Sequence, residues 1–315
     1  MSEPEFLISV MDLHGDWCVI VCLIGGGQEI NTGEAGLGEW LSALGERFDA
    51  WDVYISDRLA EGDYVSDAAT AELLTQLPTH KSPQLHLSVS MRSFRAEALS
   101  SFIGQIIDKK PEEAQHVYRE VAERYPIWIT RDLPQARDWL WAKARGSERF
   151  GLIASSGAHR LRPEGLHVKA KVEPETWFLN DRSDVRSSFY MEEVATEFDV
   201  QCLELDWACV CWDGDFRYAG GNWNYNKFKG TRWQRVGQDD AKLYLKNAYR
   251  VILTRARQGM VIFVPGGDEK DPTRPPSFYD QTYRFLQSCG LQDLDMENAS
   301  ALHELLRHSL KLFTR

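Results

Sequence analysis

The 315-residue chain contains no G-x-x-x-x-G-K-S/T sequence, and none of its apolar strand patterns ends in an Asp-Glu pair. It therefore has neither a backbone cradle for nucleotide phosphates nor a carboxylate placed to hold magnesium, so hydrolysis of a nucleotide by these residues alone is excluded. Lys229-Gly-Thr231 lacks the preceding glycine and the strand-loop-helix setting. Long apolar runs are also missing: the longest, CVIVCLIGG at 18–26, falls well short of the ~20 residues of a membrane helix. Met1-Ser-Glu-Pro-Glu lacks a basic leader start, and a cytoplasmic protein is expected. Cys209 and Cys211 are separated by one residue, too few for a zinc or redox pair, and no second pair accompanies them. Cys18, Cys22, Cys202, Cys209 and Cys211 lie in apolar strand-like runs and are expected to be reduced core residues. There is no G-x-S-x-G elbow and no His-rich metal spacing, which disfavours an α/β hydrolase; His159 and His167 read as loop residues, and no metal site is expected. Positive charge is scarce too: 36 Lys and Arg against 47 Asp and Glu give a net charge of -11, which excludes coating nucleic acid by overall charge.

What is present is an ordinary globular composition, 43% hydrophobic, 11% aromatic and 26% charged, with length for about two domains. Strands are expected at 18–25, 51–56, 85–90, 127–131, 150–155, 203–212 and 260–265. Several are apolar at consecutive positions, as a strand covered on both faces requires, which predicts an α/β fold with a mostly parallel sheet and helices on both sides. Helical patterns fall at 36–47, 66–76, 95–108, 111–124, 132–145, 238–257 and 298–312. In 238–257, Ala241, Tyr244, Leu245, Ala248, Tyr249 and Ile252 recur at helical spacing and predict one buried stripe. The aperiodic stretch 76–84 is the expected domain boundary, dividing the chain into 1–80 and 81–315.

Three features stand out chemically. Gly25, Gly26, Gly27 and Gln28 follow an expected strand, where glycines let backbone approach a ligand or simply make a tight turn. Between 212 and 235, Trp212, Phe216, Tyr218, Trp223, Tyr225, Phe228 and Trp233 are interleaved with Arg217, Lys227, Lys229, Arg232 and Arg235. Five cations against Asp213 and Asp215, beside aromatic faces, suit a single strand of nucleic acid; the alternative is an insertion that buries its aromatics in a small core. Finally, Arg92, Arg160 and Arg255 sit just beyond strands or at a helix end, where a guanidinium fork either meets phosphate or forms a surface ion pair.

Read together, LIGGGQEI at 23–30, LSVSMRSF at 87–94, TEFDVQCLELD at 196–206 and NAYRVILTRAR at 247–257 resemble, in order and spacing, motifs III, IV, V and VI of superfamily 1 helicases. The closest resemblance is to the Schlafen group 3-like DNA/RNA helicase family, carried most specifically by QEINTGEAGL at 28–37 and YRVILTRARQGMVIFVP at 249–265. It implies a complete second RecA-like domain of the P-loop NTPase type and the remnant of a first. By the same resemblance, Gln28 senses the γ-phosphate, Arg92 and Arg255 reach it across the cleft, and Gly27, Glu204 and Arg160 lie near the nucleotide. Thr196 would face the nucleic-acid backbone, joined by Trp223, Lys227, Lys229 and Arg232 from the aromatic-basic stretch.

Two departures qualify the activity this implies. The family's phosphate loop and Asp-Glu motif precede motif III and are missing here, so ATP and magnesium are expected only in a completed assembly and neither for the isolated chain. Cys202 stands where the family pattern has glycine; a positive φ or close approach there costs about 1 kcal/mol or more. A strand such as 18–25, apolar on both faces, is expected to dock onto a partner carrying the phosphate-loop half, a second copy, or a missing part of a parent protein. One reading is the C-terminal half of an ATP-dependent helicase or translocase acting on single-stranded DNA or RNA. The other is a non-catalytic interaction module on a helicase scaffold.

Overall fold

The computed structural model describes residues 2–23, 37–59, 68–86, 94–122, 124–201 and 203–295. Two units, 1–91 and 92–315, each hold together by their own contacts.

In the first unit, α1 (Glu3–Met11) starts at a capping box: Ser2 Oγ accepts from the Glu5 amide while Glu5 Oε2 accepts from the Ser2 amide. It is followed by α2 (Leu37–Arg47), β1 (Val53–Ser56), α3 (Ala68–Gln76) and β2 (Thr79–Ser82). β1 and β2 pair in parallel, Val53 opposite Thr79, over a small core of Leu37, Leu41, Ile55 and Leu74. Segment 76–84, read as a boundary, supplies β2 and the start of a 3-10 turn at 83–85, whose last residue, Leu85, is the first of the strand expected at 85–90. Residues 87–90 lie outside the described residues. A larger correction concerns 18–23, which form no strand. Val19, Val21 and Leu23 are exposed, Leu23 at 82%, as are Trp17 and Cys22, while Cys18 is half-buried. A strand apolar on both faces needs a strand on each edge and a layer over each face, and among the described residues nothing in this unit supplies them.

The second unit contains α4 (Phe94–Ile107), α5 (Pro111–Ala122), β3 (Ile127–Thr130), α6 (Leu133–Lys143), β4 (Phe150–Ala154), α7 (Pro174–Leu179), β5 (Val194–Thr196), β6 (Leu205–Cys211), β7 (Phe216–Ala219), β8 (Asn222–Lys229), β9 (Arg232–Arg235), α8 (Asp239–Ile252), β10 (Ala256–Phe263), α9 (Ser277–Ser288) and β11 (Gln292–Asp293). Six strands in the order β11-β3-β10-β6-β4-β5 form a sheet whose every pairing is parallel. The α/β, parallel expectation holds, and residue parity shows why. Ala208, Val210, Met260 and Ile262 point to one core with α4, α5, α8 and α9, whereas Trp207, Cys209, Cys211, Val261 and Phe263 point to the other with α6. Both faces are covered, so both alternating positions must be apolar.

Helix α8 ends at Ile252 rather than at 257. Thr254 folds its hydroxyl back onto the Arg250 carbonyl (2.9 Å), and a turn brings the chain into β10. Of the predicted stripe, Ala248, Tyr249 and Ile252 are buried and Ala241, Tyr244 and Leu245 are half-buried. Helix α9 follows Pro275-Pro276, and the helix expected at 298–312 lies outside the described residues.

Candidate functional site

The parallel sheet gives its functional loops two edges. At the amino-terminal edge, Glu204 immediately precedes β6 and Arg255 immediately precedes β10, which are neighbours. The Leu205 amide donates to the Arg255 carbonyl at 2.8 Å, joining the two segments just where both enter the sheet. Arg255 is 1% exposed, among the largest side chains that the fold encloses. Beside it, Arg257 donates to Asp206 Oδ1 (2.7 Å), and the Arg149 amide donates to Asp206 Oδ2 (2.7 Å). Of the expected nucleotide-facing residues, the structure brings together Glu204 and Arg255. Gly27, Gln28 and Arg92 lie outside the described residues, as does Cys202.

Arg160 belongs elsewhere. It follows β4, at the carboxyl edge, separated from the Arg255 end by strands of five to eight residues at ~3.3 Å each. Its guanidinium pairs with Asp271 and lies 5.1 Å over the Phe228 ring, and its amide donates to Asp213 Oδ2 at 2.8 Å. The structure does not bring it together with Arg255; Arg160 ties the loop after β4 to the loops after β6 and β10. Thr196 ends β5 at the same edge, and its hydroxyl donates to Asp199 Oδ2 at 2.7 Å. Buried and committed to its own turn, that hydroxyl is not presented to a nucleic-acid backbone.

At this edge the sequence reading missed a group of buried carboxylates. Asp213 and Asp215 follow β6 and Glu197 follows β5. Asp215 accepts from Ser155 Oγ (2.7 Å) and the Tyr249 hydroxyl (2.6 Å); Asp213 also accepts from the Tyr279 hydroxyl (3.0 Å). Glu197 accepts from the amide and hydroxyl of Ser156, both at 2.7 Å. Burial first, and then the negative charge of Asp215, push the Asp213 carboxyl up to about 7; burial also raises Asp215 and Glu197. Gly157 makes room for the cluster, because a Cβ there would sit 2.8 Å from Asp215 Oδ2. The available signal was Asp-Gly-Asp directly after a buried strand, opposite Ser-Ser-Gly after another. Among the described residues, no group of three or more His, Cys, Asp or Glu is placed to hold a metal ion.

The stretch 212–235 is a three-stranded antiparallel meander in the order β7-β8-β9. Gly220 (φ 60°) and Gly221 (φ 79°) make its first two-residue turn. Its residues divide along the length of β8. The inner half is core: Trp212, Phe216 and Trp223 are buried, Phe216 and Trp223 stack at 4.3 Å, and Trp223 Nε1 donates to the Ile107 carbonyl at 2.9 Å. Trp223 is 6% exposed, so its expected role as a stacking surface for a base is corrected. The outer half projects from that core. There Lys227 faces Gln234 and Lys229 faces Arg232 across the β8–β9 pairing, so these four share one face, and all are exposed. Phe228 and Trp233 occupy the other face, held by Arg160 and by the Trp233 Nε1 bond to the Thr273 carbonyl (2.8 Å). Three of the four residues expected to touch nucleic acid from this stretch therefore form one cationic face without an aromatic platform.

Among the described residues, no helix is long and apolar enough to cross a membrane. No curated protein matches this chain. The Schlafen group 3, DNA/RNA helicase domain matches residues 1–266, which take in both edges of the sheet and the meander, and the chain belongs to that family.

Proposed function

We propose that this chain is the arginine-contributing half of an ATP-dependent nucleic-acid helicase or translocase. The observation that carries the reading is the Leu205–Arg255 backbone bond, which sets Glu204 and Arg255 side by side at one edge of the sheet. The chain's own residues fit the arginine side of a nucleotide site and not its phosphate-cradling side, which the 315 residues do not contain. ATP with magnesium would supply the phosphoryl group and the charge of its transfer. Arg255, with Arg92 and Gln28, would neutralise and orient that charge by preorganised electrostatics. The phosphate loop would come from a partner polypeptide or from further sequence of a parent protein, docked where Trp17, Val19, Val21 and Leu23 expose apolar surface. At the opposite edge, Lys227, Lys229 and Arg232 would follow the phosphodiester backbone of single-stranded DNA or RNA.

A second reading, a non-catalytic helicase-like module, is favoured by the enclosure of Arg255, which is 1% exposed where a cleft arginine must reach its phosphate. One experiment separates the two. The chain is mixed with a polypeptide carrying a phosphate loop and an Asp-Glu motif, and nucleic-acid-stimulated ATP hydrolysis is measured for wild type and Arg255→Lys. The first reading expects no hydrolysis by this chain alone, hydrolysis by the mixture, and a loss of 10-fold or more in kcat with Arg255→Lys in a chain that still unfolds cooperatively, because lysine keeps the charge but not the fork. Equal rates for the two chains, or no hydrolysis by any mixture that forms a complex, support the module.

A further inference from the structure

The loop after β4 carries basic residues that the reading above does not use. Arg162, Lys169 and Lys171 are exposed in residues 159–171. This loop meets the meander at its outer half: His159 Nδ1 lies 3.3 Å from the Phe228 carbonyl, and the neighbouring Arg160 covers the Phe228 ring. Lys169 from the loop and Lys227 from β8 both act electrostatically on the His159 imidazole. Two separate elements thus place positive charge near one half-buried ring.

The charges there are also unspent. The chain has 47 acidic residues, and elsewhere they do capture cations: Lys171 pairs with Glu173, Lys242 with Asp239 and Lys246 with Asp108. Among the described residues, Lys169, Lys227, Lys229 and Arg232 form no ion pair with a carboxylate. Clustered, mutually repelling, unpaired cations on a chain of net charge -11 raise the local potential that attracts a polyanion.

We propose that the loop after β4 and the outer half of the β8–β9 hairpin form one phosphodiester-binding surface, in which Lys169 and His159 contact phosphates alongside Lys227. This deepens the nucleic-acid reading above and rests on it. His159 gives the surface a proton linkage. Burial, Lys169 and Lys227 lower its proton affinity in the free protein, against the Phe228 and Ser156 carbonyls that raise it. A phosphate placed there favours the imidazolium, so binding takes up a proton and tightens as pH falls from 8 to 6.

The test is fluorescence anisotropy of labelled 20-nucleotide single-stranded DNA and RNA with the full chain, as a function of salt and pH. Lys169→Ala is expected to weaken binding several-fold at 0.1 M salt and to lower the slope of log K against log salt by about 0.7. His159→Gln is expected to remove the pH dependence while binding at pH 8 stays near wild type. Lys227→Ala is the reference. If Lys227→Ala weakens binding and Lys169→Ala changes neither affinity nor slope, the loop is not part of the surface, although the hairpin contact stands. If neither variant changes binding, if the wild type binds neither oligonucleotide, or if polyglutamate competes as well as the oligonucleotide does, this inference fails together with the nucleic-acid reading.

Discussion

The Arg160 amide donates to Asp213 Oδ2 at 2.8 Å, binding the loop after β4 to a carboxylate that is itself buried beside Asp215. Two carboxyl groups two residues apart in a water-excluded site do not both ionise without cost, and the proton they keep makes the second unit pH-sensitive.

The sign follows from Asp213. Its folded carboxyl titrates at about 7, above the ordinary value near 3.9, so between those limits the folded state holds more protons than the unfolded one. Stability contributed by the protonated form is therefore present at low pH and is lost as pH rises towards 7. Asp213→Asn mimics the protonated form. It is expected to flatten the pH dependence of stability between pH 5 and 7.5 and to exceed wild type at pH 8 by an amount on the order of 1 kcal/mol or more. Urea midpoints at pH 5, 6.5 and 8 measure the difference, in which groups that do not interact with the Asp213–Asp215 pair cancel. Parallel profiles for the two proteins would contradict the assignment.

Trp223 supports a prediction of a different kind. It packs on Phe216, Tyr218 and Phe285 and donates to the Ile107 carbonyl, so Trp223→Ala removes a core side chain and leaves a buried acceptor unmade. A loss of about 3–5 kcal/mol in unfolding free energy is expected by chemical denaturation. Trp223→Phe should cost less and leave nucleic-acid affinity near wild type, whereas a base-stacking role would show the reverse ranking.

That same residue shows where the sequence was legible and where it was not. β3, β4, β6 and β10 are readable because consecutive apolar residues leave few alternatives to a strand covered on both sides. In NWNYNKFK the period of two runs through Trp223 and Tyr225 and breaks at Phe228, and aromatics so spaced serve a core and a nucleic-acid surface equally well. What decides is how far β8 extends past α4 and α9, which depends on contacts distant in sequence, such as Trp223 with Ile107. The contacts of Arg160 were not legible for a related reason. Position after a strand says that a side chain is near an edge of the sheet, but not which neighbour at that edge, here Asp271 or Phe228, will hold it. Residues 18–23 form no strand because burial on both faces is a property of neighbours as well as of the run itself.

The turn that launches β8 is expected to be sensitive to side chains. Gly220 and Gly221 both have φ in the left-handed region, as a two-residue hairpin turn with the right twist requires. Replacing either with Ala should cost about 1 kcal/mol each, and Gly220→Asn less, because asparagine tolerates that conformation. A Cβ at either position meets no neighbouring atom within 4 Å, so the penalty is conformational rather than steric. Melting curves of the three variants give the ranking; equal losses for Ala and Asn would point to some other cause.

Lys229 and Arg232 face each other across the β8–β9 pairing and carry the most outward charge of the meander. If each neutralises one phosphate of a single strand, removing it releases one counterion fewer on binding. The slope of log K against log salt should then fall by about 0.7 for each Ala substitution and by about twice that for the pair, with binding weakened uniformly across sequences. Phe228 and Trp233 lie on the other face of the same strands, so Trp233→Phe should leave the slope unchanged. A slope that falls with Trp233→Phe but not with Lys229→Ala would place the strand on the Phe228–Trp233 face of the hairpin and overturn the contact with Lys229 and Arg232.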